Sequence, residues 1–184
     1  MKVLGLGALE QRLQHDLNII GYPLNEWVPE KYTKEGERVL DVLIVGAGQG
    51  GLAIAFQLMR ERVNNVLVID KAEPGTEGPW INYARMPILR SPKEVNGPDL
   101  NIPSLSFQAW YEAQFGAPSW EAMGKIPTKM WMDYLVWYRR ILQLPVENGV
   151  RLDTFEPYED IQKVILFCLR TNTNKTVFTR KIMT

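Results

Sequence analysis

Apolar positions recur along this chain in distinct rhythms, and each rhythm predicts a different kind of element. Leu6, Leu9, Leu13, Leu17 and Ile20 fall three or four residues apart, the spacing of one helix face, and Gly21 and Pro23 close that helix. "NEWVPEKYTKEGERV" follows as a polar, turn-rich connector reaching Val39. The next apolar stretches are continuous rather than periodic. "VLDVLIVG" and "NVLVID" (residues 65–70) have the Val, Ile and Leu content of strands buried on both faces of a parallel sheet. Between them, Leu52, Ala55, Phe56 and Met59 line one side of a helix running from Leu52 to Val63. Strand, glycine-rich turn, helix and strand fill about thirty residues, the size of one βαβ unit.

From Lys71 to Pro127 the pattern breaks up into Pro, Gly, Trp and Tyr with short helical patches such as "SFQAWYEAQFG". Such a stretch is either a long functional loop region or a small helical insertion. The clearest helix of the chain is then predicted in "KMWMDYLVWYRRILQL", with Thr128 as its cap. Trp131, Leu135, Tyr138 and Leu142 form one stripe, flanked by Tyr134, Trp137 and Ile141; the spacing is that of a core-facing surface rather than a ligand platform. Pro145 stops this helix. "VRLDTFEP", "KVILFCLRT" and "KTVFTRKIM" predict three strands, the last two joined through "TNTNK" as a hairpin. The chain shows no internal repeat.

Composition narrows the chemistry. A chain of 184 residues accommodates one domain, or one plus an appendage, with a sizeable core. Its 21 Lys and Arg balance 21 Asp and Glu, so no overall field favours nucleic acid or a membrane surface. A single cysteine, Cys168, excludes an internal disulfide and a cysteine-rich zinc site, and fits a reducing compartment. Its place in "VILFCL" predicts a buried, inert thiol. The single histidine, His15, lies in a polar stretch far from the glycine cluster, so a Ser-His-Asp or Cys-His site is not expected. Redox or group-transfer chemistry therefore has to come from a bound cofactor. No run reaches the ~18 apolar residues of a membrane span. "VLGLGAL" after Lys2 is short and lacks a small-residue cleavage site, so a cytoplasmic protein is expected.

That cofactor has an address. Gly46, Gly48 and Gly51 fit G-x-G-x-x-G between a buried strand and a helix, and Asp70 ends the next strand nineteen residues beyond Gly51. In this reading Gly46 permits the tight turn out of the strand, Gly48 lets a pyrophosphate approach the main chain, and Gly51 lets helix and sheet pack closely. The helix N-terminus offers unpaired N–H groups and a positive dipole end to phosphates. Asp70 accepts from the adenosine ribose hydroxyls; its charge repels a 2′-phosphate, which argues against NADP at this site and leaves FAD or NAD. A P-loop is excluded, because Leu52 and Ala53 follow Gly51 where Lys and Ser or Thr are required.

"DVLIVGAGQGGLAIAFQLMRERVNNVLVIDKAEPGTEGPW" resembles the N-terminal FAD-binding segment of flavin-dependent monooxygenases and related FAD/NAD(P)-binding oxidoreductases. In that group the acid-ended second strand leads into a glycine-containing turn and a Trp, here Gly78, Pro79 and Trp80. "MPILRSPKEVNGPDLNIPSLSFQAWYEAQFG" and "WMDYLVWYRRILQLPV" are similar to the region such proteins insert before returning to the sheet, so the likeness covers roughly 39–180.

The resemblance implies an α/β fold of the Rossmann-like FAD/NAD(P)-binding type, three-layered, with a parallel sheet, helices and a β-hairpin or meander. It implies FAD on the backbone of Gly46, Ala47, Gly48, Gln49, Gly50 and Gly51, with Asp70 on the ribose and Lys71 near the adenosine end. Trp80 and Arg90 are the implied neighbours of the flavin. Trp80 reads equally as a packing aromatic, and Arg90 more readily as a structural or surface ion pair.

The resulting domain organisation is a helical extension and linker over 1–38 and an FAD-binding domain over 39–184, with a helical, Pro- and aromatic-rich insertion at 71–145. Full-length members of the family are more than twice as long and carry a second glycine fingerprint for NADPH and an "ATG"-like closing turn. Neither follows "VFTRKIMT" here. The chain is accordingly expected to be the amino-terminal portion of an oxidoreductase, with an incomplete sheet, an apolar edge, and a homo-oligomer or edge-pairing partner as a consequence. The N-terminal helix is expected to dock on the core or on a second subunit. A non-catalytic nucleotide- or protein-binding remnant is the alternative. A small NAD-dependent reductase is disfavoured, because 71–127 lacks the alternating strands and helices that finish a doubly wound sheet.

Overall fold

The computed structural model describes residues 5–95, 97–160 and 165–184. The first residues of "VLGLGAL" and Lys163 and Val164 of the predicted second tail strand lie outside them. The chain divides into two compact units: the residues through Gly21 with Gly78–Gln143, and Tyr22–Glu77 with Leu144–Thr184. The expected 1–38 extension is thereby shared, its helix falling in the first unit and its connector in the second.

The second unit is built on one six-stranded sheet. Its strands are β1 (Leu40–Val45), β2 (Val66–Asp70), β3 (Val146–Asn148), β4 (Leu152–Glu159), β5 (Ile165–Thr171) and β6 (Thr176–Met183), ordered β3-β2-β1-β6-β5-β4. The β3-β2-β1-β6 block is parallel, while β4, β5 and β6 form an antiparallel meander. Strand β6 belongs to both. Residues 176–179 pair with β5, whereas Thr179 to Met183 run beside Leu40 to Ile44.

The continuous apolar runs have the predicted cause. Side chains alternate between the two faces of a strand, and β1 is buried on both. Ile44 faces the helix α2 (Gln49–Arg60), which buries Leu52, Ala55 and Phe56. On the opposite face, Leu43 and Ile69 pack with Val150 and Leu169 in a cluster that takes in Leu67, Leu152, Phe167 and Ile182. Cys168, on the meander, is half-buried rather than buried, and burial raises its thiol pKa above the ordinary value. The outer strand of the meander, β4, is polar. Asp153, Thr154, Phe155, Glu156 and Pro157 are all exposed, and only Phe155 among them is large and apolar. Charge and proline at an edge oppose strand addition.

The polar connector is strapped to this unit by polar side-chain contacts and by the fully buried Val39 at its end. Trp27 Nε1 donates to Glu61 O at the end of α2 (2.7 Å), Arg62 Nε donates to Pro23 O (2.6 Å), and Lys31 pairs with the buried Asp160 at 2.5 Å. Tyr32 and Arg38 form an antiparallel bridge.

The first unit is helical. It comprises α1 (Leu6–Ile19), a 3₁₀ turn (Pro103–Leu105), α3 (Phe107–Phe115), α4 (Ala117–Ala122) and α5 (Thr128–Ile141). Ser106 caps α3 by accepting from the Ala109 N–H, and Gly116 at φ +82° ends it. The predicted cap of α5 is corrected: Thr128 is its first residue, after Pro127, and its hydroxyl bonds the Met86 and Pro87 carbonyls instead. The stripe on α5 is core. Trp131, Tyr134, Leu135, Trp137 and Tyr138 are buried, and Phe107 of α3 lies with its ring centroid 5.4 Å from both Trp131 and Tyr134. Two tyrosine hydroxyls buried there each donate to a carbonyl, Tyr134 to Leu105 O (2.8 Å) and Tyr138 to Pro98 O (2.7 Å). Burial pushes both phenol pKa values up. Glu10 of α1 receives Trp137 Nε1 (3.0 Å) and pairs with Arg140, which fixes α1 against α5.

Candidate functional site at the glycine turn

Three strands of the sheet unit end together where β1 runs into the glycine turn, β2 ends in Asp70 and β3 ends in Asn148. In open α/β sheets ligands bind outside such carboxyl ends. Gly46 has φ +111°, a conformation an L side chain rarely adopts. Its N–H donates to Ile69 O at 2.8 Å, which ties the turn to β2. Gly51 is demanded by packing instead: a Cβ there would lie 1.9 Å from the Gly46 carbonyl oxygen and 3.3 Å from Ile44 Cγ2. Gly50 carries no such demand, being exposed with open space around it. Gly48 is the N-cap of α2 at φ −68°, so its backbone angle is open to any residue.

Helix α2 begins without help from side chains. No side chain caps it and no acid stands in its first turn, leaving the amide groups of that turn and the positive end of the helix dipole for an external anion. Asp70 lies beside this turn. Its Oδ2 accepts from the Ala47 N–H at 2.7 Å and its Oδ1 from the Ala72 N–H at 2.8 Å. An ionised carboxylate has about four acceptor positions, so capacity remains for hydroxyl donors. The turn, the start of α2 and Asp70 thus fit the diphosphate and ribose of a dinucleotide.

The remaining candidates are distributed differently. Lys71 follows Asp70 and is exposed. Trp80 and Arg90 belong to the helical unit. Trp80 packs edge-on against Trp131 at 6.1 Å, with its buried indole N–H unpartnered among the described residues. Arg90 is exposed, and its Nε contacts Met86 Sδ at 2.8 Å. Sequence reasoning missed Glu77 and Asn148, which clasp each other beside the turn. The available signal was a glutamate enclosed by glycines in "PGTEGP", a place where a solvated carboxylate is the ordinary expectation. Among the described residues, no group of His, Cys, Asp and Glu could hold a metal ion. No helix of the described residues is long and apolar enough to cross a membrane.

A parallel sheet with a glycine turn, an uncapped helix start and an acid at the next strand end defines a dinucleotide-binding α/β protein. Residues 43–163 match the FAD-NAD(P)-binding family, and the chain belongs to it. It is 53% identical over 154 residues to the FAD-dependent urate hydroxylase of Xanthomonas campestris pv. campestris, covering 84% of this chain and 32% of that relative. The chain therefore spans about a third of the relative's length. A flavin monooxygenase from Stenotrophomonas maltophilia carrying two substitutions superposes with a TM-score of 0.59 at 19% identity, over 78% of this chain and 37% of its own. An ornithine hydroxylase from Pseudomonas aeruginosa does so with a TM-score of 0.60 at 17% identity, over 78% and 38%. At these identities the structural likeness establishes the Rossmann-like fold of flavin monooxygenases.

Proposed function

We propose that this chain binds FAD at the glycine turn and serves as the FAD-binding part of a monooxygenase-like oxidoreductase that uses NADPH. The observation that carries the reading is the junction of turn, helix and acid. Gly51 brings α2 hard against the turn, α2 opens without a cap, and Asp70 bonds the Ala47 amide. In this reading the turn from Gly46 to Gly51 cradles the pyrophosphate with the free amides at the start of α2, and the Ala47 amide stays on Asp70. Asp70 receives the adenosine ribose hydroxyls at its remaining acceptor positions, and Lys71 lies near the adenosine end. Bound FAD supplies the electron-transfer and oxygen chemistry that no side chain provides. The 53% identity to a urate hydroxylase makes urate the first substrate to try with the whole oxidoreductase.

The test is an absorbance spectrum of the purified chain before and after adding FAD and desalting. Retained visible flavin absorbance supports the reading; a colourless protein that retains no added FAD contradicts it. Adding NADPH to the loaded protein then asks whether this chain accepts hydride on its own.

A partner-binding reading rests on a separate observation. Strand β3 is the outermost parallel strand of the sheet and pairs with β2 alone among the described residues, so it offers an edge to a further strand. A concentration-dependent increase in size on gel filtration supports self-association through such an edge, and a monomer at all concentrations removes it.

A further inference from the structure

The segment that follows Asp70 has almost nothing apolar to hold it. Within 71–77, Lys71, Glu73 and Pro74 are exposed, Ala72, Gly75 and Thr76 are partly covered, and the one buried residue is a carboxylate, Glu77, at 2% exposure. Burying that group is costly unless it is bonded. Its Oε2 accepts from the Gly75 N–H at 2.7 Å and its Oε1 from Asn148 Nδ2 at 2.7 Å. Asn148 Nδ2 also donates to Ala72 O (3.0 Å), the Gly149 N–H donates to the same oxygen (3.2 Å), and the Val150 N–H donates to Asp70 O (2.9 Å). Ala72 in turn gives its N–H to Asp70 Oδ1, and Asp70 Oδ2 receives Ala47 at the glycine turn. A continuous run of polar contacts therefore leads from the end of β3 through Glu77 and the 71–77 segment to the carboxylate proposed to meet the ribose.

We propose that Glu77 and Asn148 are positioning residues of the dinucleotide site: together they fix the turn after β2, so that Asp70 presents its free acceptor positions to the adenosine ribose. The proposal rests on the FAD reading above. It explains why a carboxylate is buried where a loop-packing leucine would serve stability alone. Two donors, a main-chain N–H and an amide NH₂, point at the two oxygens of one side chain. A glutamine has one oxygen and one NH₂, so E77Q either sets donor against donor or turns the Asn148 amide over, which gives up the bond from Asn148 Nδ2 to Ala72 O.

FAD affinity is measured by flavin-fluorescence titration of the whole chain for wild type, E77Q, D70N and the double variant, each well below its unfolding midpoint. E77Q is expected to weaken FAD about tenfold, the scale of one lost charge-assisted hydrogen bond. D70N is expected to weaken it at least as much. Adding E77Q to D70N is expected to cost less than about twofold further, because residues acting through one another are non-additive. Equal losses from E77Q in both backgrounds overturn the proposal, since a residue that merely supports the fold acts independently of Asp70. Wild-type affinity in E77Q with a loss in D70N also overturns it, while leaving the glycine-turn site standing. A wild-type chain with no FAD affinity removes the site reading and the proposal with it. Should E77Q not fold, Asn148→Ala removes the donor from a partly exposed position and must show the same weakening and the same dependence on Asp70. Wild-type FAD affinity in Asn148→Ala overturns the assignment.

Discussion

The glycine turn of the sheet unit and the aromatic centre of the helical unit are held by opposite means. At the turn the decisive contacts are made by backbone, at places where a side chain would be an obstruction. Gly46 turns at positive φ, Gly51 leaves room for a carbonyl, and Asp70 spends its carboxylate on two amides. In the helical unit the decisive contacts are made by large rings. Phe107 meets Trp110, Trp131 and Tyr134 with centroids 5.4 to 5.5 Å apart, and the buried hydroxyls of Tyr134 and Tyr138 are each satisfied by a single long-range bond to a carbonyl. The first design keeps main-chain donors free for an anion. The second fills volume.

Mutations break this comparison in a definite order. Phe107→Ala removes the ring at the centre of the aromatic cluster and is expected to cost about 3–5 kcal/mol of stability, read by denaturant unfolding. Gly51→Ala is expected to cost roughly 3 kcal/mol, because the new Cβ meets backbone rather than a flexible side chain. It is also expected to abolish measurable FAD binding by opening the turn. Tyr134→Phe strands the Leu105 carbonyl in the core and is expected to cost about 1–2 kcal/mol. Gly50→Ala, one residue from the most sensitive glycine, meets no protein atom on a helix; it is expected to be neutral or to stabilise by about 0.5–1 kcal/mol. The pair at 50 and 51 sharpens the comparison most, since composition is identical and only the position of a methyl differs. The smallest effect concerns Cys168. Burial raises its thiol pKa and so lowers its thiolate fraction, and alkylation at neutral pH is expected to run slower than for a free thiol.

Much of this was legible in the amino-acid sequence, for physical reasons that differ by element. The continuous runs at 40–45 and 66–70 read as buried strands because both faces of a parallel strand demand apolar residues. The stripe on α5 read as core because its spacing leaves one face uninterrupted. Strand β3 was not legible: it has three residues and no period to display, and its membership in the sheet comes from pairing with β2. Thr128 was misplaced by one position, because a hydroxyl at a helix start can bond a distant carbonyl as readily as its own helix. The polar character of the meander edge stands in "LDTFEP", but which tail strand would be outermost depends on β6 joining β1. Glu77 was invisible for the most general reason. A carboxylate between glycines reads as solvated until the fold supplies two donors to bury it.

Calorimetric titration of the chain with FAD, and separately with FMN, tests the central claim most directly, because FMN lacks the diphosphate bridge and the adenosine ribose. Saturable one-to-one binding of FAD, lost in Gly51→Ala, with FMN neither binding comparably nor competing, is the predicted result. Equal affinity for the two flavins, or FAD affinity unchanged in Gly51→Ala, contradicts the assignment of the glycine turn and Asp70 to the dinucleotide.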